Sequence, residues 1–376
     1  MARAPNMQQV ADAAGVSKSA VSLALRDDPR LAVETRRRVQ QIAEQLGYRK
    51  NPVVASLMSQ LRASQTPRFQ ANFALINCSP NRQLFDVPAF AEFRRGIRER
   101  ADQNGYGVEE FWAEEPGVPL ARLRQILHAR NIKGIIVGAA REARPLFLGH
   151  TEFFHEFCFA SVGAERTDPP LPRAANNIFR TVRTAVDAAF RLGYRRPGLV
   201  VDQRLDAQLE RRLSSGYAAA IQDRAAQIVG AAPAPLVSHS LDAIEFARWL
   251  KEERPDVVLT EQTAVLDWTR SLKVTVPDEL GLIHLDWNPH LRDWAGMNQN
   301  GRVIGAAAAD LLISQLVNNE TGVPAHPKLV VIDSDFMAGP SVRETIAPDV
   351  VAAPGAPKRR MPLRALTSRV LPGANR

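Results

Sequence analysis

Val10-Ala-Asp-Ala-Ala-Gly-Val-Ser-Lys-Ser-Ala-Val-Ser-Leu-Ala-Leu25 decides how the N-terminal end of this chain folds. Met7, Val10 and Ala14 repeat at helical spacing, Gly15 interrupts, and Ser17 is placed to N-cap a second helix that runs through Leu25. The small Ala13 and Gly15 let two helices cross closely, while Val16, Val21 and Leu25 supply an apolar stripe that holds the second helix down. At about 100° per residue, Ala20, Val21, Ala24 and Leu25 point inward and Lys18, Ser19, Ser22 and Leu23 point outward. A third helix follows the turn-like Arg26-Asp-Asp-Pro29, with Val39, Ile42, Ala43 and Leu46 on one face and Gly47 as its terminator. The pattern predicts a helix-turn-helix whose outward face meets base edges and phosphates; the alternative is an unrelated helical hairpin with a solvated polar face.

Working outward, residues 63–68 (Ala-Ser-Gln-Thr-Pro-Arg) read as a linker, and beyond them the periodicity changes. Apolar runs at Phe73–Ile76, Gly107–Trp112, Ile132–Val137, Phe157–Val162, Gly198–Val201, Val257–Leu259 and Leu282–Leu285 alternate with helical stretches at Ala89–Gln103, Leu120–Ala129, Thr181–Leu192, Gly216–Arg224 and Ala243–Glu252. Strand and helix in alternation predict doubly wound parallel sheets, and roughly 270 residues suffice for two lobes. The expected organisation is a headpiece over 1–50, a hinge helix and linker over 51–67, a two-lobed ligand-binding and dimerisation domain over 68–340, and a tail over 341–376. That tail is Pro- and Ala-rich and then basic, with Lys358, Arg359, Arg360 and Arg364, and reads as disordered.

The chain has 376 residues, 45 % hydrophobic and 23 % charged, the balance of a globular protein in more than one domain. A net charge of +8 favours an anionic partner. The start, Met1-Ala-Arg-Ala-Pro-Asn6, has no apolar core behind its arginine, and no run approaches the length of a membrane helix, so a cytoplasmic, nucleoid-associated protein with no membrane partner is expected. Cys78 and Cys158 lie far apart in apolar runs and read as core thiols. No metal-spaced His/Cys/Asp cluster, phosphate-binding glycine loop or nucleophile elbow is present, so neither metal, cofactor nor catalytic residue is expected.

Residues 7–62 resemble the DNA-binding region of the lactose-repressor (LacI) family, through Val10-Ala-x-x-Ala-Gly-Val-Ser17, Thr35-Arg-Arg-Arg-Val39 and Leu46-Gly-Tyr48. Leu192-Gly-Tyr194, Pro255-Asp-Val-Val-Leu259, Val276-Pro-Asp-Glu-Leu-Gly281 with Asp286 after its strand, and Ile304-Gly305 in an alanine-rich helix resemble the same family's sugar-binding-protein-like core. The resemblance implies an all-α helix-turn-helix headpiece on an α/β, two-lobed, periplasmic-binding-protein-like domain. It also implies a transcription regulator, most simply a repressor, that reads a palindromic double-stranded DNA operator as a homodimer and responds to a sugar-like effector. The sequence departs from the family's pattern at Leu23, where an arginine is frequent, at Lys50 in place of a proline, at Asn176-Asn177 in place of Asp-Asn, and at Arg211-Arg212, displaced relative to Gly216-Tyr217.

DNA contacts are expected from Ser17, Lys18, Ser19, Ser22, Leu23 and Arg36. Asn51-Pro-Val-Val-Ala-Ser-Leu-Met58 resembles the family's hinge helix, which places Asn51 at the DNA and implies Leu57 as an apolar wedge in the minor groove; the alternative is a linker helix packed on its dimer mate. In open α/β sheets ligands bind beyond the carboxyl ends of the strands, which selects Asn77, Ser79, Asp202, Asp286 and Trp287. Asp286 is the leading candidate, because a carboxylate accepts two hydroxyl hydrogen bonds from a polyol, with Arg212 donating opposite and Trp287 stacking on a ring. Each of these also has an ordinary reading as a strand-end polar or core residue, and His284 reads as a core histidine. A solute-binding protein, or an α/β enzyme carrying a DNA-binding-like module, are the competing function classes.

Overall fold

The computed structural model describes residues 7–25, 28, 31–47, 69, 71–138 and 146–344. Three helices open it: α1 (Met7–Ala14), α2 (Lys18–Ala24) and α3 (Val33–Gln45). Gly15 takes φ +64° between α1 and α2, and Gly47 takes φ +66° just after α3, the left-handed backbone that makes glycine the economical choice at both points. The Ser17 hydroxyl accepts the Ala20 N–H at 3.2 Å and so caps α2. Val10, Ala11, Ala14, Val21, Ala24, Val39 and Ala43 form the core of this unit. The small residues at the helix crossing are thus Ala11 and Ala14; Ala13 is exposed, because it sits a full 100° round α1 from its neighbour.

The remaining described chain builds two sheets of six strands each among the described residues. Lobe 1 begins with β1 (Ala71–Asn77), α4 (Pro88–Gln103), β2 (Tyr106–Trp112), α5 (Leu120–Ala129), β3 (Gly134–Gly138), α6 (Phe153–Glu156), β4 (Cys158–Val162) and β5 (Arg173–Asn176). The chain then crosses into lobe 2 through α7 (Ile178–Arg191), β6 (Pro197–Asp202), α8 (Gln203–Gln208), α9 (Arg212–Asp223), β7 (Leu236–Ser238), α10 (Ala243–Glu253), β8 (Val257–Thr260), α11 (Ala264–Ser271), β9 (Gly281–Trp287) and β10 (Ala295–Asn298). It returns to lobe 1 for α12 (Gly301–Asn318) and β11 (Leu329–Ile332), and crosses a third time to end lobe 2 with β12 (Asp335–Met337).

Strand order is β11-β5-β4-β3-β1-β2 in lobe 1, all parallel, and β12-β10-β9-β8-β6-β7 in lobe 2, parallel except for β12. Both sheets are covered on both faces, which explains why central strands such as Gly134–Gly138 and Val257–Thr260 are buried at every position instead of alternately. α12 and α4 cross backbone to backbone: a Cβ added at Gly96 would strike the Arg302 carbonyl, and one at Gly305 the Phe93 carbonyl. Where the chain passes between lobes, Asn176 donates to Ser334 Oγ at 2.8 Å, Thr181 donates to Asn176 Oδ1 at 2.8 Å, and Asn300 donates to the Asp333 carbonyl at 3.0 Å. Among the described residues no helix is long and apolar enough to cross a membrane.

Candidate functional site

On the headpiece, Lys18 opens the first turn of α2 with its side chain exposed, beside the capping Ser17. Ser19 and Ser22 belong to the same helix. Leu23 is half-buried and stands apart from the core formed by Val21 and Ala24. Arg36 lies in the first turn of α3, half-buried, its backbone N–H bonded to the Ala32 carbonyl. Asn51 and Leu57, with the hinge helix as a whole and the tail beyond Glu344, lie outside the described residues.

The second site is a cavity of 710 Å³ between the lobes, within the usual size range of small-molecule sites. Its walls come from the start of α4, the turn after β4, the ends of β8, β9 and β10, and the first turn of α12. Strand ends therefore converge on it from both sheets, as the crevice rule for α/β sheets requires. Asp286 and Trp287 both line it. The Trp287 indole N–H donates to the carbonyls of Leu291 and Trp294, at 3.2 and 3.0 Å, so the ring is locked in place by the loop it anchors. Glu165, Glu261 and Asn298 bring further hydrogen-bonding groups to the same space.

The other four cleft candidates fall elsewhere. Asp202 accepts the backbone N–H groups of Arg204 and Leu205 at 2.8 and 3.0 Å and caps α8. Arg212 donates to the Leu209 carbonyl at 2.7 Å and the Ala164 carbonyl at 2.6 Å, so its guanidinium ties lobe 2 to lobe 1 and does not line the cavity opposite Asp286. Asn77 is buried, accepts the Ser79 N–H at 2.9 Å, and borders a separate 350 Å³ cavity in lobe 1 with Arg82, Arg94 and Trp112. Ser79, also buried, accepts the Asn81 N–H and gives its carbonyl to the Trp112 indole. For Asp202, Asn77 and Ser79 the physical reason is common: strand-end polar groups first satisfy the turn they sit in.

Burial leaves both cysteines as protonated thiols, pushed up to about 12. His284 is buried at the cavity wall, and burial pushes its pKa down to about 4, so the imidazole is neutral. Among the described residues no group of His, Cys, Asp and Glu is arranged to hold a metal ion.

Residues 6–51 match the model of the lacI family of bacterial regulatory proteins, and residues 186–335 match that of the periplasmic binding protein-like domain. The HTH-type transcriptional regulator MalR of Streptococcus pneumoniae serotype 4 is 26 % identical over 140 residues, which is 37 % of this chain and 40 % of that relative's length. A solved transcriptional regulator CelR–cellobiose complex superposes with a TM-score of 0.54 at 18 % identity, covering 90 % of this chain and 99 % of that one. The lac repressor dimer bound to operator and an anti-inducer gives 0.51 at 17 % identity, covering 91 % and 100 %. At such identities the two structures speak for the fold: a helix-turn-helix followed by a two-lobed α/β domain. The chain thus carries a lacI-family helix-turn-helix over residues 6–51 and a periplasmic binding protein-like domain over residues 186–335.

Proposed function

We propose that this protein is a cytosolic transcription regulator that grips a palindromic operator as a homodimer and changes its grip when a sugar or related polyol enters the interlobe cleft. The observation that carries the reading is the presence, in one chain, of a capped helix-turn-helix with Lys18 exposed on α2 and a 710 Å³ cleft with Asp286 in its wall. A carboxylate and amide-lined cleft suits hydroxyl groups, and the saccharide named in the CelR complex is the class of ligand such a wall accommodates. On the headpiece, Ser17, Lys18, Ser19, Ser22, Leu23 and Arg36 are the proposed DNA-facing residues, with Asn51 and Leu57 completing the contact from the hinge.

The test uses the full chain and a pool of inverted-repeat duplexes, with binding followed by fluorescence anisotropy at rising salt. A selected inverted repeat should bind more tightly than its scrambled counterpart, and affinity should fall steeply with salt as Lys and Arg displace counterions from phosphate. Equal affinity for both duplexes, or salt-insensitive binding, would be incompatible with the reading. Adding a saccharide that binds the cleft should then shift operator affinity in the wild type and shift it less in Asp286→Asn.

A further inference from the structure

Arg173 opens β5 in lobe 1, and Arg212 opens α9 in lobe 2. Both guanidiniums donate to one oxygen, the Ala164 carbonyl, at 3.0 and 2.6 Å, so two like charges are held together where the lobes meet. Arg212 has a counter-charge in Glu210 at 3.6 Å, which Arg166 shares at 3.5 Å. Among the described residues Arg173 makes no ion pair, and its guanidinium bonds the Ala164 carbonyl alone. Burial, followed by the Arg212 charge, lowers its pKa, the mark of a cation poorly compensated where it stands.

Arg173 is half-buried and lines a cavity of 150 Å³ on lobe 1, together with Arg166 and Lys328. The sheet places Lys328 there: its carbonyl accepts the Arg173 N–H at 2.9 Å as β11 pairs with β5. Arg166 and Lys328 are exposed, so both reach a solute arriving from water. No carboxylate lines this cavity, and Glu165 borders the interlobe one instead. Three cations around a partly enclosed space, one of them a guanidinium without a counter-ion, call for an anion.

We propose that this pocket is a second ligand site, separate from the interlobe cleft, that takes the phosphate group of a small molecule, either inorganic phosphate or a sugar phosphate. The planar guanidiniums of Arg173 and Arg166 match phosphate oxygens in pairs, and Lys328 adds a point charge. The cavity is smaller than sites that enclose a whole small molecule, so it suits one anionic group and leaves any attached sugar outside. A dianion beside Arg173 offsets its repulsion with Arg212, so phosphate binds more tightly while Arg212 holds the Ala164 carbonyl. By reciprocity, bound phosphate strengthens that tie between the lobes.

The experiment titrates the full chain with inorganic phosphate and with glucose 6-phosphate at constant ionic strength, following the phosphorus NMR signal of the ligand. It uses wild type, Arg173→Gln and the double variant Arg166→Ala/Lys328→Ala, whose exposed positions leave the fold intact. Wild type should bind at least one of the two at millimolar concentration, and its Kd should rise about tenfold or more in each variant, the scale of lost charged hydrogen bonds. Equal affinity for both ligands identifies free phosphate as sufficient, and tighter binding of glucose 6-phosphate identifies the sugar phosphate. Bound phosphate should also raise the urea midpoint more in wild type than in Arg212→Ala; equal rises overturn the coupling to the lobes. No binding to wild type, a Kd unchanged in both variants, or binding that chloride abolishes equally well overturns the site. Operator affinity lost in the double variant with no phosphate present assigns the patch to DNA and overturns the proposal as well.

Discussion

The guanidinium of Arg212 donates to the backbone carbonyl of Ala164 across 2.6 Å, joining the start of α9 in lobe 2 to the turn after β4 in lobe 1. The same carbonyl accepts from Arg173 at 3.0 Å, and burial together with the neighbouring Arg212 charge lowers the Arg173 pKa. Arg212→Ala should remove the interlobe tie and leave the Arg173 bond in place. A hydrogen bond from a charged donor is worth about 1.5–3 kcal/mol, and relief of the Arg173 repulsion offsets part of that, so a loss of about 1–2 kcal/mol is expected. Urea unfolding measures it, and an unshifted midpoint at unchanged m-value would show that the tie contributes nothing to stability.

The crossing of α4 and α12 predicts a larger effect. A methyl group at Gly305 meets the Phe93 carbonyl, a backbone atom that cannot swing aside like a side chain, so the helices must separate. Gly305→Ala should destabilise by about 3 kcal/mol, at the upper end for overpacking, despite the higher helix propensity of alanine. A variant that unfolds at the wild-type denaturant concentration would mean the two helices slide apart at no cost.

His284 makes stability depend on pH in a window of its own. Its pKa falls from the ordinary 6.5 when unfolded to about 4 when folded, so between those values the unfolded chain binds more protons than the folded one. This contribution is absent above pH 6.5, and stability is lost progressively as pH drops towards 4, by about 2 kcal/mol at pH 5 from the linkage relation. Glu156, held from the ordinary 4.5 down to about 2 chiefly by its hydrogen bond with Arg124, loses its contribution as pH falls below 4.5, so a comparison of pH 7 with pH 5 largely avoids it. Comparing unfolding of wild type and His284→Asn at pH 7 and pH 5 isolates the effect, and equal pH dependence in the two would remove His284 as its source.

Leu23 lends itself to a base-by-base test. Leucine cannot donate to guanine but can pack on a thymine methyl group in the major groove, so the base opposite it should be thymine. Replacing thymine by uracil at each half-site position should reveal one symmetric position that loses about 1 kcal/mol per half-site, the scale of one buried carbon, and loses little in Leu23→Ala. No sensitive position, or equal sensitivity in both proteins, would show that Leu23 does not read the operator.

Much of this architecture is legible in the sequence wherever one residue's identity settles a local question. Gly15, Ser17 and Gly47 mark the turn and two helix ends of the headpiece, and the apolar runs of β1, β3, β4 and β8 stand out because strands buried on both faces have no polar alternation to disguise them. The short strands β5, β7 and β10–β12, three or four residues each, escape notice because periodicity needs length. Asp286 and Trp287 are readable from their place at a strand end, and Glu261 and Gln262 beyond Val257–Leu259 could have been found by the same rule. What a single sequence withholds is where a side chain spends its hydrogen bonds. Asp202 and Asn77 have the right position but serve their own turns.

The three crossings between lobes also set a timetable for synthesis. Lobe 2 is nearly one continuous stretch, from Ile178 to Asn298, completed by β12 and the segment after it, where Ser341 bonds Leu282 and Ala295 and Val342 enters the core. Lobe 1 is split: the face of its sheet built around Phe73, Leu75 and Ile136 is closed by Ile304, Ala308 and Leu312 of α12, which leave the ribosome some two hundred residues after β1. The segment made first therefore holds apolar surface open while most of its neighbour is made, and it is lobe 1 that a chaperone would be expected to shelter on the nascent chain.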